Sequence, residues 1–193
     1  HDAIPLRFPK HFSPLTYYHR FYVPQILSKA EHIICNSQAT AKDIHHFYQI
    51  PQSKITPILL AHNSQNFRPL IYINKKLDKP YFIYLGRQDP YINLQRIISA
   101  FAALPNSNDY ELWFAGPDDK RYTPILKTQI KQLGITEQVK FLNYVPYSEL
   151  PKIINQALAL VFPSLWEGFG FPVLEAMACG TPVITSNISS LPE

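Results

Sequence analysis

From Lys79 onward the chain alternates short apolar runs with segments whose apolar residues recur every three to four positions. Tyr81-Phe82-Ile83-Tyr84-Leu85 reads as a strand buried on both faces, because an unbroken apolar run of this length suits a parallel sheet. Residues 93–104 follow as a helix with Leu94, Ile97, Ile98 and Phe101 on one face. The same reading predicts strands over 110–115, 139–142 and 157–162, a helix over 123–133 stopped by Gly134, and a helix capped by Ser148 that runs to about Gln156. Pro172 suits a first helical turn and Gly180 a helix end, so a helix is expected over 172–179, then a strand over 182–186. Such alternation implies a doubly wound parallel sheet. Ligands of these sheets bind beyond the carboxyl ends of the strands, where the loops at Gly86, Gly116, Tyr144 and Glu167 are expected to converge.

The first part of the chain has another texture. Residues 1–74 hold all seven histidines and many aromatics, with a helix expected over 23–30, a strand over 32–35, a helix capped by Ser37 and a strand over 55–60. Residues 71–80 read as a linker. The expected fold class is therefore α/β, with two Rossmann-like domains over 1–74 and 75–193. The chain opens at His1-Asp2 without Met and stops soon after the strand over 182–186, so it is read as a piece of a longer protein, with the start of the first domain and the end of the second missing.

Chemistry concentrates at Trp166-Glu167-Gly168-Phe169-Gly170-Phe171-Pro172-Val173-Leu174-Glu175, where two carboxylates stand eight positions apart across a strand-to-helix junction. Gly168 and Gly170 permit unusual dihedrals and close approach of a ligand, and the free N–H groups of a helix start attract an anion. Carboxylates repel phosphate but accept hydrogen bonds from hydroxyls, so Glu167 and Glu175 suit sugar hydroxyls on either side of a diphosphate. The pattern points to a sugar nucleotide.

These residues, with Ala176-Met177-Ala178-Cys179-Gly180-Thr181-Pro182-Val183, resemble the Glu-x7-Glu motif of retaining GT-B glycosyltransferases of family 4, the group 1 glycosyl transferases. The resemblance implies a GT-B fold: the tail of an acceptor-side domain, then a donor-binding domain. It implies a donor-sugar role for Glu167, a ribose role for Glu175, and backbone contacts to sugar and phosphate from Gly168, Phe169, Gly170 and Phe171. Gly86-Arg87 after the first strand of the second domain carries over as a diphosphate contact, which a guanidinium can make bidentately. His1-Asp2 resembles the His-Asp pair of many such enzymes, with His1 facing the donor sugar and Asp2 orienting it. One departure is visible. The pattern places a lysine five residues after the arginine, and here Ile92 stands there before Asn93-Leu94, with Arg96 the nearest substitute cation; on this reading Ile92→Lys is expected to raise activity.

The resemblance thus implies a hexosyltransferase-type enzyme that moves a sugar from a nucleotide-diphosphate sugar to a saccharide or lipid-linked hydroxyl acceptor, in polysaccharide or glycoconjugate synthesis. Catalytic roles fall to His1, Arg87 and Glu167, and the 193 residues alone are expected to lack turnover. A degenerate, non-catalytic binding module and another GT-B reaction remain the alternatives.

Composition narrows the rest. A hydrophobic content of 46% with 17% charged residues argues for a packed core, and the 18 prolines for many rigid turns. The net charge of +4 is mild, and no basic run argues for nucleic acid. The histidines show no HExxH or His-x3-His spacing, so no metal and no cofactor beyond the donor substrate is expected. Cys35 and Cys179 lack a redox spacing and read as buried, reduced thiols. No apolar run is long enough to span a bilayer and no signal peptide is visible, so a cytoplasmic setting is expected. The aromatic and basic segment over 8–22 leaves peripheral contact with the inner face of a membrane open.

Overall fold

A computed structural model describes residues 1–70 and 78–193. Two compact units emerge: His1–Ala61 with Leu165–Gly170 and Asn187–Glu193, and His62–Ser164 with Phe171–Ser186. Residues 71–77 of the expected linker, and the boundary expected between 74 and 75, lie outside the described residues.

In the first unit α1 (Ile4–Arg7), α2 (Ser13–Phe21) and α3 (Val23–Lys29) precede β1 (Ile33–Cys35), α4 (Gln38–Tyr48) and β2 (Ile55–Pro57). The strands pair in parallel with Ile33 opposite Ile55, and α4 is the crossover between them. Ile33, Cys35, Ile44, Ile50 and Ile55 form the core. Ser37 caps α4 as expected, its hydroxyl accepting the Thr40 N–H at 3.0 Å. The strand expected over 55–60 closes at Pro57, opposite Cys35 where β1 ends, and the Ile58 N–H makes one last bond to Cys35 O at 2.8 Å.

The second unit runs β3 (Tyr81–Leu85), α5 (Leu94–Ala102), β4 (Glu111–Ala115), α6 (Thr123–Gln132), β5 (Val139–Asn143), α7 (Leu150–Asn155), β6 (Ala159–Phe162), α8 (Phe171–Ala178) and β7 (Val183–Thr185). Its five strands are parallel in the order β5-β4-β3-β6-β7. The chain builds outward from β3 to β5 and then returns to the other side of β3. The order therefore reverses between β3 and β6, which is where doubly wound sheets hold ligands.

Local chemistry explains the elements. Leu94, Ile97, Ile98 and Phe101 are all buried along α5, so its apolar stripe faces the sheet. The rings of Tyr81 and Trp113 stack at 3.7 Å across β3 and β4. Helix α8 closes at Gly180, whose φ of +77° accepts a Schellman turn in which Thr181 N–H donates to Ala176 O and Gly180 N–H to Met177 O. Ser148 does not cap α7: a turn intervenes, Glu149 occupies the cap position, and its carbonyl takes the Ile153 N–H at 3.2 Å. Both cysteines are buried and free. Among the described residues no helix is long and apolar enough to cross a membrane.

Candidate functional site

In the second unit the loops leaving β3, β4 and β6 carry the polar groups. Gly86 follows β3 and Gly116 follows β4, and their backbones nearly touch: a Cβ on Gly116 would lie 1.9 Å from the Gly86 carbonyl oxygen. No side chain fits there. The two loops are also bridged by buried polar groups, with the Thr123 hydroxyl donating to Gln88 Oε1 at 2.6 Å and Gln88 Nε2 donating to Pro117 O at 3.4 Å. At the reversal point Asn93, with φ of +69°, donates from Nδ2 to Pro163 O at 3.4 Å and so ties the β3 loop to the β6 loop.

Arg87 stands on this scaffold with its guanidinium largely exposed. The Tyr84 hydroxyl donates to its carbonyl, and its Nε lies 3.3 Å from Asp89 Oδ2. Burial works against its charge, and Asp89 then raises its pKa further above an already high value. Ile92, where the resemblance has a lysine, is 4% exposed inside a short 3-10 turn, and Arg96 is exposed on α5. A lysine at 92 would have to bring its ammonium out of a buried position, so activation by Ile92→Lys is no longer expected.

Glu175 lies in α8, and Phe171 opens that helix on the surface. The Glu175 carboxyl is half-buried and has no hydrogen bond or ion pair among the described residues, so burial pushes its pKa up to about 7. With no partner among the described residues, its oxygens are open to hydroxyl donors from a ligand.

The first unit holds the other part of the motif. Glu167 is fixed through its backbone: its N–H donates to Ser189 Oγ at 2.9 Å, and the Ser190 hydroxyl donates to its carbonyl at 3.0 Å. Gly168 lies against the chain start, where a Cβ would meet Asp2 Cβ at 2.8 Å and the His1 carbonyl oxygen at 2.9 Å. The Ser37 hydroxyl donates to Gly168 O at 2.6 Å, and the Thr40 hydroxyl reaches the same oxygen and His1 O, each at 3.2 Å. Gly170, at φ +100°, adopts a left-handed conformation beside Leu191. The structure thus brings His1 and the Glu167 loop together. The imidazole of His1 is exposed, and Asp2, expected to orient it, accepts the Ile4 N–H at 3.0 Å instead. The Phe169 side chain is half-buried in the same loop.

Residues to which the sequence assigned no role of their own anchor this loop. Asp43 on α4 is 1% exposed and accepts from the Arg7 guanidinium and from Trp166 Nε1, the latter at 2.9 Å. Arg7 stacks over the Trp166 ring at 3.4 Å. The signal was present: Asp43 falls on the face that also carries Ala39, Thr40 and Ile44, a charge at a core position of an amphipathic helix. Glu193 adds a second clamp by accepting the N–H groups of Gln38 and Ala39 at the start of α4. Among the described residues no group of three or more His, Cys, Asp or Glu could hold a metal ion.

The family model described as "Glycosyl transferases group 1" matches residues 72–193. The O-antigen chain mannosyltransferase RfbU of Salmonella typhimurium is 31% identical over 188 residues, covering 97% of this chain and 51% of that protein. The chain spans about half the length of the curated relatives it matches. Among solved structures, the sucrose-phosphate synthase of Thermosynechococcus elongatus superposes with a TM-score of 0.75 at 25% identity, over 87% of this chain and 43% of that one. Anabaena HepE, solved in complex with UDP-glucose, superposes with a TM-score of 0.77 at 20% identity, over 94% and 51% respectively. The α/β fold of GT-B type with a parallel sheet, expected from the sequence, holds.

Proposed function

We propose that this chain, which belongs to the glycosyl transferases group 1 family, is the nucleotide-sugar-binding part of a hexosyltransferase that passes a sugar to a saccharide or lipid-linked hydroxyl acceptor in polysaccharide or glycoconjugate synthesis. The observation that carries the reading is Glu175, a half-buried carboxyl without a partner among the described residues, in a unit whose strand order reverses beside Arg87. On this reading Glu175 receives the ribose hydroxyls of the donor and Arg87 its diphosphate, while Gly86 lets the backbone approach the phosphates.

The remaining roles are assigned by the motif. Glu167 and His1 face the donor sugar, and the Gly168, Phe169, Gly170 and Phe171 backbone meets sugar and phosphate. Catalysis then rests on positioning and on electrostatic support of the departing diphosphate. Membership of family 4 and retention of anomeric configuration belong to the same proposal. RfbU acts, by its name, as an O-antigen mannosyltransferase, and HepE was solved with UDP-glucose, so nucleotide-diphosphate mannoses and UDP-glucose are the first donors to test.

A cytoplasmic protein with peripheral membrane contact is also part of the reading. Residues 3–30 contain no Asp or Glu, and Tyr17, Phe21 and Tyr22 are exposed beside Arg20. A degenerate binding module is the second reading, and the buried Ile92 in place of a lysine favours it.

The experiment is calorimetric titration of the chain and of Glu175→Ala with UDP, GDP and ADP. Selective binding of one nucleotide, weakened about tenfold or more in the variant, supports the reading. Equal binding by both proteins removes Glu175 from the site. Incubation of the intact protein with donor and acceptor, with the anomeric configuration of the product read by NMR, tests retention and separates an enzyme from a binding module.

A further inference from the structure

Resting on the donor-site reading above, we propose that Arg121 is a second diphosphate-binding group, paired with Arg87 across the buried carboxylate of Asp89. The two arginines come from different loops, after β4 and after β3, yet converge on one acid. Arg87 Nε lies 3.3 Å from Asp89 Oδ2, and Arg121 Nη2 lies 3.9 Å from Asp89 Oδ1. The Asp89 side chain is 7% exposed, whereas those of Arg87 and Arg121 are 69% and 59% exposed. The carboxylate is therefore inside and both guanidiniums face solvent.

Two guanidiniums lie within 4 Å of this one carboxylate, and the charge of Asp119 balances the second of them. Arg121 has moreover its own partner, with Nε and Nη2 donating to Asp119 at 3.2 and 2.9 Å. A guanidinium carries five N–H donors, so these contacts leave Arg121 able to bind an anion while its orientation stays held. The Gln88–Thr123 hydrogen bond at 2.6 Å and the close approach of Gly86 and Gly116 set the spacing of the two loops. Two planar forks drawn to one carboxylate suit an anion with several oxygens, which a nucleoside diphosphate supplies. The lysine absent at Ile92 is thus compensated from the neighbouring loop rather than from Arg96 on α5.

The test is titration of the 193-residue chain with UDP, GDP and ADP, with their nucleosides and with pyrophosphate, against Arg121→Gln, Arg121→Lys and Arg87→Gln. The expected result is a loss of about 10- to 100-fold in diphosphate affinity for Arg121→Gln, with partial recovery in Arg121→Lys and nucleoside binding unchanged. The apparent salt dependence of binding should also fall in Arg121→Gln. Unchanged diphosphate affinity in Arg121→Gln alongside a loss in Arg87→Gln overturns the proposal and leaves the donor-site reading standing. Failure of the unaltered chain to bind any of the nucleotides overturns both. Arg121 is exposed, so circular dichroism of the variants should match that of the parent.

Discussion

The indole N–H of Trp166 donates to the carboxylate of Asp43 at 2.9 Å, and this bond joins the loop that carries Glu167 to the middle of α4. The carboxylate is buried, and Arg7 neutralises it while stacking on the same indole. Removing one partner of such a group leaves a desolvated charge behind, which costs more than the bond contributed. Trp166→Phe is expected to destabilise the chain by about 1–3 kcal/mol, and Asp43→Ala by about 3 kcal/mol. Urea unfolding measures both, and a loss below about 0.5 kcal/mol for Asp43→Ala would show that the triad does not hold the loop.

The glycines make a sharper contrast. Gly116→Ala puts a Cβ against a neighbouring backbone carbonyl that cannot move aside, at 1.9 Å. Gly134→Ala meets nothing within 4 Å and strains only its φ of +70°. The Gly116 variant should therefore lose several kcal/mol or fail to fold, and the Gly134 variant only about 1 kcal/mol. Thermal melts of the pair measure the difference, and equal losses would overturn the close approach of the two loops.

Glu175 predicts a pH dependence. Its carboxyl is raised from an ordinary 4.5 to about 7, so the folded chain holds the proton more tightly than the unfolded one. Its contribution is then full below about 4.5 and is lost as pH rises through about 7. Glu175→Gln should flatten that part of the stability profile, read by chemical unfolding at a series of pH values. A parent and variant with parallel profiles would place the titration elsewhere.

Ile92→Lys tests the departure from the family pattern. Because Ile92 is buried, the variant is expected to lose about 2–4 kcal/mol and to bind nucleotides no better than the parent. Ile92→Met, close in volume, should cost under about 1.5 kcal/mol. A stable Ile92→Lys protein with tighter diphosphate binding would show that the side chain reaches solvent and that the site lacks a cation.

Much of the second unit was legible from periodicity. The stripe of Leu94, Ile97, Ile98 and Phe101 and the unbroken run from Tyr81 to Leu85 depend only on neighbours along the chain, and both appear as expected. Ser148 misled because a Ser before an apolar stretch looks like a cap whether or not the turn delivers it to one.

By itself the sequence determined the alternation of strands and helices, the parallel sheet it implies, and the motif that assigns the family, since each is written in local spacing or in residue identity. Only the tertiary structure decided that Asp43, Arg7 and Trp166 meet, that Ile92 is buried, and that Arg87 and Arg121 share one carboxylate. Those relationships join segments distant along the chain. No periodicity encodes them, because they arise when the crossovers of parallel strands bring separate loops to the same side of a sheet or helix, where buried polar groups must find partners.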